Sequence, residues 1–324
     1  MTKALALIFA AGIALVTSAC QSVAPASPPA ATAPRVAPDS DVFLAELDLA
    51  AGTVGKVRNI TRRPGYDNQP AFLADGNALW FVSDRSGAND VYRYDISSAG
   101  TTQVTATRES EFSPTPLPEG EGFSAIRVAA ADSVGEAYTE SQQLWRYSAG
   151  GEPLASVLPM RRVGYHAWLD ASHVVLSLVG SVEQKQAKSV VLADLASGST
   201  VLLAMPTGRS LGRTPDGKRI SFVDKRDPAN WMVVAMAPGE TAPTPLVATP
   251  KGPPGEKDSE RSEDYCWLPD GGLLMAKDSQ LLRWDGKAGG AFRPFADLKD
   301  LGGAITRLAV SRDGKRLAFV VQMR

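Results

Sequence analysis

The chain has 324 residues, of which 44% are hydrophobic, 21% charged and 7% aromatic, with a net charge of -1, two cysteines and two histidines. It is too apolar and too sparsely charged for a disordered chain, and near-neutrality removes the electrostatic case for a nucleic-acid partner. Two cysteines cannot build a disulfide framework, two histidines cannot supply a His-rich metal site, and 29 glycines with 23 prolines suit a turn-rich chain better than a helical one.

In chain order, Lys3 precedes a 13-residue apolar run, Ala4 to Val16, followed by Thr17-Ser18-Ala19-Cys20. Such a run is shorter than the roughly 20 residues a transmembrane helix needs, and its layout is that of a secretory signal peptide. The small residues before Cys20 resemble the lipobox of bacterial lipoproteins, with Thr17 standing where that motif usually has a branched aliphatic residue. The resemblance implies lipidation at Cys20 and a membrane anchor facing the periplasm. Gln21 in place of Asp further implies sorting to the outer membrane of a Gram-negative bacterium. Residues 21–40 contain six Ala and five Pro and read as an extended tether. Setting aside Lys3, Arg35 and Asp39 leaves a body, residues 41–324, with a net charge near -2.

The body begins with two strand-like segments, Asp41 to Leu49 and Lys56 to Thr61. From Asn59 to Asp95 the chain reads as a short strand, an Asp75-Gly76 turn, a strand from Ala78 to Val82, a second turn and a third strand from Asp90. Related turns recur at Pro118-Glu119-Gly120, Asp170-Ala171-Ser172, Pro215-Asp216-Gly217, Pro269-Asp270-Gly271 and Arg312-Asp313-Gly314. The position three residues ahead of each turn is Phe72, Pro116, Trp168, Arg213, Trp267 or Val310, at spacings of 44, 52, 45, 54 and 43. A period near 48 with four short strands per unit predicts an all-β, six-bladed propeller. The sixth unit ends after its second strand, Arg316 to Val321, so its missing pair must be the two segments at the start of the body. This predicts ring closure by a mixed blade, two strands from each end, which buries otherwise open sheet edges.

The Asn59 to Asp95 segment and the Pro-Asp-Gly turns resemble the WD40-like (PD40) repeats of TolB-type propellers, with units two and three divergent. TolB proteins carry an N-terminal α/β domain where this chain is expected to have only the tether. The resemblance implies a protein- or peptide-binding scaffold in the cell envelope, acting as a monomer without a cofactor.

In a propeller the loops entering each first strand and the loops joining strands two and three share one face, and both long insertions, Ala129 to Gln142 and Pro250 to Asp264, fall in those loops. The candidate partner-binding rim is therefore Asp67, Asn68 and Gln69; Glu109 and Glu111; Tyr165 and His166; Arg209; Glu263, Asp264 and Tyr265; and Arg307, whose amides, aromatics, acids and arginines suit a peptide or protein. Wet loop residues are the plain alternative. His166 reads as a strand histidine satisfied by neighbours, His173 as exposed, and Cys266 as a buried inert thiol. The run Glu256 to Asp264 has five acids but no turn glycine, which argues against a calcium loop. No nucleophile elbow, phosphate loop or zinc-protease pattern occurs, so no catalytic or metal residue is assigned. The alternatives left open are a small-molecule or carbohydrate-binding sensor and, less favoured, a propeller lyase, cyclotransferase or hydrolase.

Overall fold

A computed structural model describes residues 39–129, 135–181, 183–252 and 262–323. The signal peptide, Cys20, the tether as far as residue 38, and parts of both long insertions lie outside the described residues. Strands β1 (Ser40–Asp48) and β2 (Thr53–Asn59) open the body. Blade 1 is β3 (Asp67–Phe72), β4 (Ala78–Ser83), β5 (Asp90–Asp95) and β6 (Thr101–Gln103). Blade 2 is β7 (Ser110–Pro116), β8 (Phe123–Val128), β9 (Gln143–Tyr147) and β10 (Pro153–Ser156), with a short helix α1 (Gly135–Ser141) between β8 and β9. Blade 3 is β11 (Val163–Trp168), β12 (His173–Leu178), β13 (Ser189–Asp194) and β14 (Thr200–Ala204), and blade 4 is β15 (Thr207–Arg213), β16 (Ile220–Asp224), β17 (Met232–Met236) and β18 (Thr244–Ala248). Blade 5 is β19 (Tyr265–Trp267), β20 (Leu273–Lys277), β21 (Gln280–Trp284) and β22 (Arg293–Asp297), and β23 (Gly303–Val310) and β24 (Arg316–Met323) end the chain.

Each blade is a four-stranded antiparallel sheet, and the sixth has the order β2-β1-β24-β23. The mixed blade is thus formed as expected: Phe43 pairs with Phe319 in register, and their rings stack at 5.7 Å. The six residues aligned from the repeat, Phe72 to Val310, each end the first strand of a blade. The Asp-Gly turns follow from local chemistry. At Asp75, Asp216, Asp270 and Asp313 the carboxylate accepts the backbone N–H two residues on, at 3.0–3.1 Å. The intervening glycines have φ of 70–87°, which a side chain would oppose.

Burial peaks in the second strand of each blade, is lower in the first strands that line the axis, and falls away at the outer edge. Second strands such as β4 are buried along their whole length, whereas outer strands such as β6 and β10 are exposed at every position. This is the physical meaning of the apolar bias of β4, β8, β12, β16, β20 and β24: each lies between two neighbouring sheets and is covered on both faces. The apolar clusters among the described residues correspondingly fall at the blade interfaces. In the mixed blade Val42, Leu44, Ala318 and Val320 face blade 1, while Phe43, Ala45, Leu317 and Phe319 face blade 5, because alternate residues of a strand point to opposite faces. The helix α1 was not expected from the sequence; no α1 residue is buried, and Arg162 holds it through Glu136 at 3.2 Å and Glu140 at 2.5 Å.

Candidate functional site

The first strands converge on an axial cavity of about 170 Å³, and every blade contributes to its wall. Gln69 comes from β3, Ser113 from β7, Tyr165 and His166 from β11, Arg209 and Ser210 from β15, Asp264 and Tyr265 from the start of β19, and Arg307 from β23. Bulges interrupt the pairing of first strands beside these residues, for example between Asn68 and Ala71, Phe112 and Thr115, and Thr306 and Ala309. Within those three bulges Gln69, Ser113 and Arg307 adopt left-handed φ of 52–55°, an unfavourable conformation for residues with a side chain, and all three line the cavity. The backbone of Ser113 donates to Gln69 Oε1 at 2.7 Å, tying blades 1 and 2 together at the axis.

Opposite them lies an ionic cluster drawn from blades 3 to 6. Arg209 grips Asp264 with two donors, Nε at 2.9 Å and Nη2 at 2.5 Å, and Ser210 Oγ donates to the same carboxylate at 3.3 Å. Arg307 reaches Asp264 at 3.5 Å, donates to Tyr165 Oη at 2.7 Å, and lies 4.9 Å from the centre of the Tyr165 ring. Burial would raise the Asp264 carboxyl, but the charges of Arg307 and Arg209 overcome it and leave it at about 2. Burial pulls the Arg209 guanidinium down, yet Asp264 more than offsets this and holds it above its ordinary value. Glu263, which does not line the cavity, pairs with Lys225 at 2.7 Å and approaches Arg209 Nη1 at 3.6 Å. The cavity wall therefore carries two guanidiniums against one carboxylate.

Of the rim residues expected from sequence, Gln69, Tyr165, His166, Arg209, Asp264, Tyr265 and Arg307 line the cavity, and Asp67, Asn68, Glu109, Glu111 and Glu263 do not. Asp67 is fully buried between Arg63 and Arg85, each at 3.1 Å, and Asn68 donates to Ser40 of the closing blade at 3.3 Å. Glu109 pairs with Arg127 at 3.0 Å. Glu111 is sealed between blades 1 and 2, where Thr105, Thr107 and Tyr147 donate to it at 3.0, 2.6 and 3.3 Å. Burial pushes its carboxyl up to about 7, with the threonine hydroxyls pulling the other way. Asp67, Asn68, Glu109 and Glu111 lie ahead of the bulges of their first strands, and the partners just named engage them away from the cavity.

His166 is 7% exposed. Its Nε2 meets Ser124 Oγ at 2.7 Å, whereas its Nδ1 has no partner. Satisfaction by neighbours is thus only half met, and burial alone lowers the imidazole to about 3. His173 is half-buried rather than freely exposed, with Nδ1 3.0 Å from Asp170. Burial pushes the Cys266 thiol up to about 12, in keeping with an unreactive group. Sequence reasoning missed Tyr66 and Tyr138. Burial raises the Tyr66 phenol, and Arg307, Tyr165, Tyr138 and Arg209 all act on it electrostatically; burial and Tyr165 raise Tyr138. Tyr66 adjoins Asp67 at the same strand entry and was legible there, while Tyr138 arrives on α1 and carried no signal. Among the described residues no group of three or more His, Cys, Asp or Glu could hold a metal ion, and no helix is long and apolar enough to cross a membrane.

The arrangement defines a six-bladed β-propeller with a polar, arginine- and tyrosine-lined axial cavity. Its fold is of the TolB type. A TolB-assigned structure from Agrobacterium tumefaciens superposes with a TM-score of 0.64 at 14% identity, over 88% of this chain and 99% of that one. An oligogalacturonate lyase in complex with manganese gives 0.55 at 14% identity, over 83% of this chain and 80% of that one. In sequence, 45 residues, 14% of this chain, are 44% identical to the Tol-Pal system protein TolB of Bordetella pertussis, and the match spans only 10% of that relative's length. No family profile matches the chain.

Proposed function

We propose that the chain is an exported envelope scaffold whose propeller docks a protein or peptide on the axial face. The observation that carries this reading is the convergence of Tyr165, Arg209 and Arg307 on one polar cavity, since arginine and tyrosine are the residue types that most often supply binding energy at protein interfaces. The 45-residue likeness to a Tol-Pal system protein supports an envelope setting, as does the apolar leader ending at Cys20, through which the mature protein would be lipid-anchored. A cavity of about 170 Å³ falls below the roughly 300 Å³ at which small-molecule pockets begin, so it suits one inserted side chain of a larger partner better than a whole ligand. Against a catalytic role, the His166 imidazole at the cavity is buried with its Nε2 engaged by Ser124 at 2.7 Å, and burial lowers its basicity. Crosslinking in intact envelopes followed by mass spectrometry tests the proposal. Wild type should recover a protein that Tyr165→Ala loses, and recovery of the same set by both proteins, or of none, refutes it.

A further inference from the structure

We propose that the axial cavity is a carboxylate subsite in which Arg307 supplies the charge and His166 Nδ1 accepts a hydrogen bond from a neighbouring N–H, the two features an acidic peptide residue offers. This inference rests on the docking reading and names the anchoring group of its partner.

The charge argument comes from the wall. Arg209 and Asp264 satisfy one another through paired hydrogen bonds. Arg307, whose side chain is 19% exposed, is left with a 3.5 Å approach to the same carboxylate and the neutral Tyr165 hydroxyl. A largely desolvated guanidinium with incomplete compensation favours an incoming anion, and a carboxylate matches its planar array of donors.

The hydrogen-bond argument comes from a motif the fold uses twice. In blade 5 Tyr265 Oη and Trp267 Nε1 both donate to Ser221 Oγ of blade 4 at 2.8 Å, while Ser221 donates to the Gly212 carbonyl at 3.1 Å. One blade pair earlier, Trp168 Nε1 donates to Ser124 Oγ at 2.9 Å, Ser124 donates to the Thr115 carbonyl at 3.4 Å, and His166 stands where Tyr265 would be. For the serine to be satisfied in the same way, His166 must donate through Nε2–H. Its Nδ1 then carries a lone pair, buried and without a partner, on a residue that lines the cavity. Ser113 Oγ, also in that wall, is likewise unpartnered. Unmet polar atoms on residues that line one cavity with a guanidinium are what a site built for a polar occupant presents.

The test uses the folded protein and small probes followed by isothermal titration at constant ionic strength. N-acetyl-aspartate amide should bind at least about tenfold more tightly than N-acetyl-asparagine amide, its neutral isostere, and more tightly than monomethyl succinate, which lacks the N–H. Arg307→Gln should weaken the aspartate probe by about tenfold or more, with Arg307→Lys intermediate. His166→Tyr, which copies the blade 5 motif and so retains the contact to Ser124, should remove the preference over monomethyl succinate. Equal binding of acid and amide by wild type, no binding of the acid, or indifference to Arg307→Gln overturns the inference. If Arg307→Gln fails to fold, the wild-type comparison and Arg307→Lys still decide. A partner that crosslinks in envelopes without acid-selective probe binding sinks the carboxylate subsite alone, whereas acid-selective binding without any crosslinked partner sinks the docking reading alone.

Discussion

Ring closure rests on β1, and replacing Phe43 by alanine measures it. Phe43 is 6% exposed, pairs in register with the fully buried Phe319, and stacks on it at 5.7 Å with the rings 15° from parallel. Truncating such a side chain costs about 3–5 kcal/mol through lost burial and the cavity left behind. At about 2–3 °C per kcal/mol for a domain of this size, the thermal midpoint should fall by roughly 6–15 °C. The matching urea midpoint should fall without a change in slope. Phe319→Ala should cost a similar amount, and the double variant should cost less than the sum by about 0.5–1.5 kcal/mol, the coupling expected of a stacked pair. Leu154→Ala, at a position 60% exposed on β10, is the control and should stay within about 0.5 kcal/mol of wild type. If Phe43→Ala shifts the midpoint no more than Leu154→Ala, or if the two phenylalanines prove additive, the N-terminal strand does not close the ring and the reasoning fails.

Other outcomes follow from the same contacts. Ser221→Ala strands the buried donor Tyr265 Oη and the part-buried donor Trp267 Nε1, and should cost about 2–4 kcal/mol in urea unfolding; a loss under about 0.5 kcal/mol would mean the motif does not brace the blade interface. Because the folded state holds the Glu111 carboxyl at about 7 against an ordinary 4.5, it binds more protons than the unfolded chain between those values. Its contribution to stability is therefore present below about pH 4.5 and lost as pH rises through 7, an upper bound of roughly 3 kcal/mol. Glu111→Gln minus wild type should accordingly grow more favourable from pH 5 to pH 8 in chemical unfolding, and a flat difference refutes the assignment. His166, lowered to about 3, works in the opposite sense: the unfolded chain binds the extra proton between pH 3 and 6.5, so His166→Tyr should lessen acid sensitivity across that window in pH-dependent thermal melts. Cys20→Ser should release the protein from the membrane fraction of fractionated cells, and unchanged membrane retention would refute lipidation there.

The architecture was legible because a propeller repeats a local code. Each blade needs an apolar second strand and a tight turn, and alternation, Asp-Gly pairs and their spacing record these needs directly in the chain. The mixed blade was legible for the same reason, since an incomplete sixth unit and two spare strands leave one economical pairing. Helix α1 escaped because it is seven residues without a buried face, held by Arg162 from another blade rather than by its own pattern.

The site was legible only in part. Position along the first strands identified the entry residues, yet the sequence treated Asp67, Gln69, Glu111 and Arg307 alike as members of one ring. The tertiary structure separated them: Gln69 and Arg307, inside bulges, line the cavity, whereas Asp67 and Glu111, ahead of theirs, are sealed by Arg63 and Arg85 and by Thr105, Thr107 and Tyr147. Pairings such as Arg209 with Asp264, 55 residues apart, and Arg307 with Tyr165, 142 apart, were likewise decided only in three dimensions. The sequence by itself determined the repeat, the blade count and the closure, which depend on local periodicity. Which charges meet at the axis and which acids are sealed between blades depends on the rotation of whole sheets about that axis, and no stretch of chain records it.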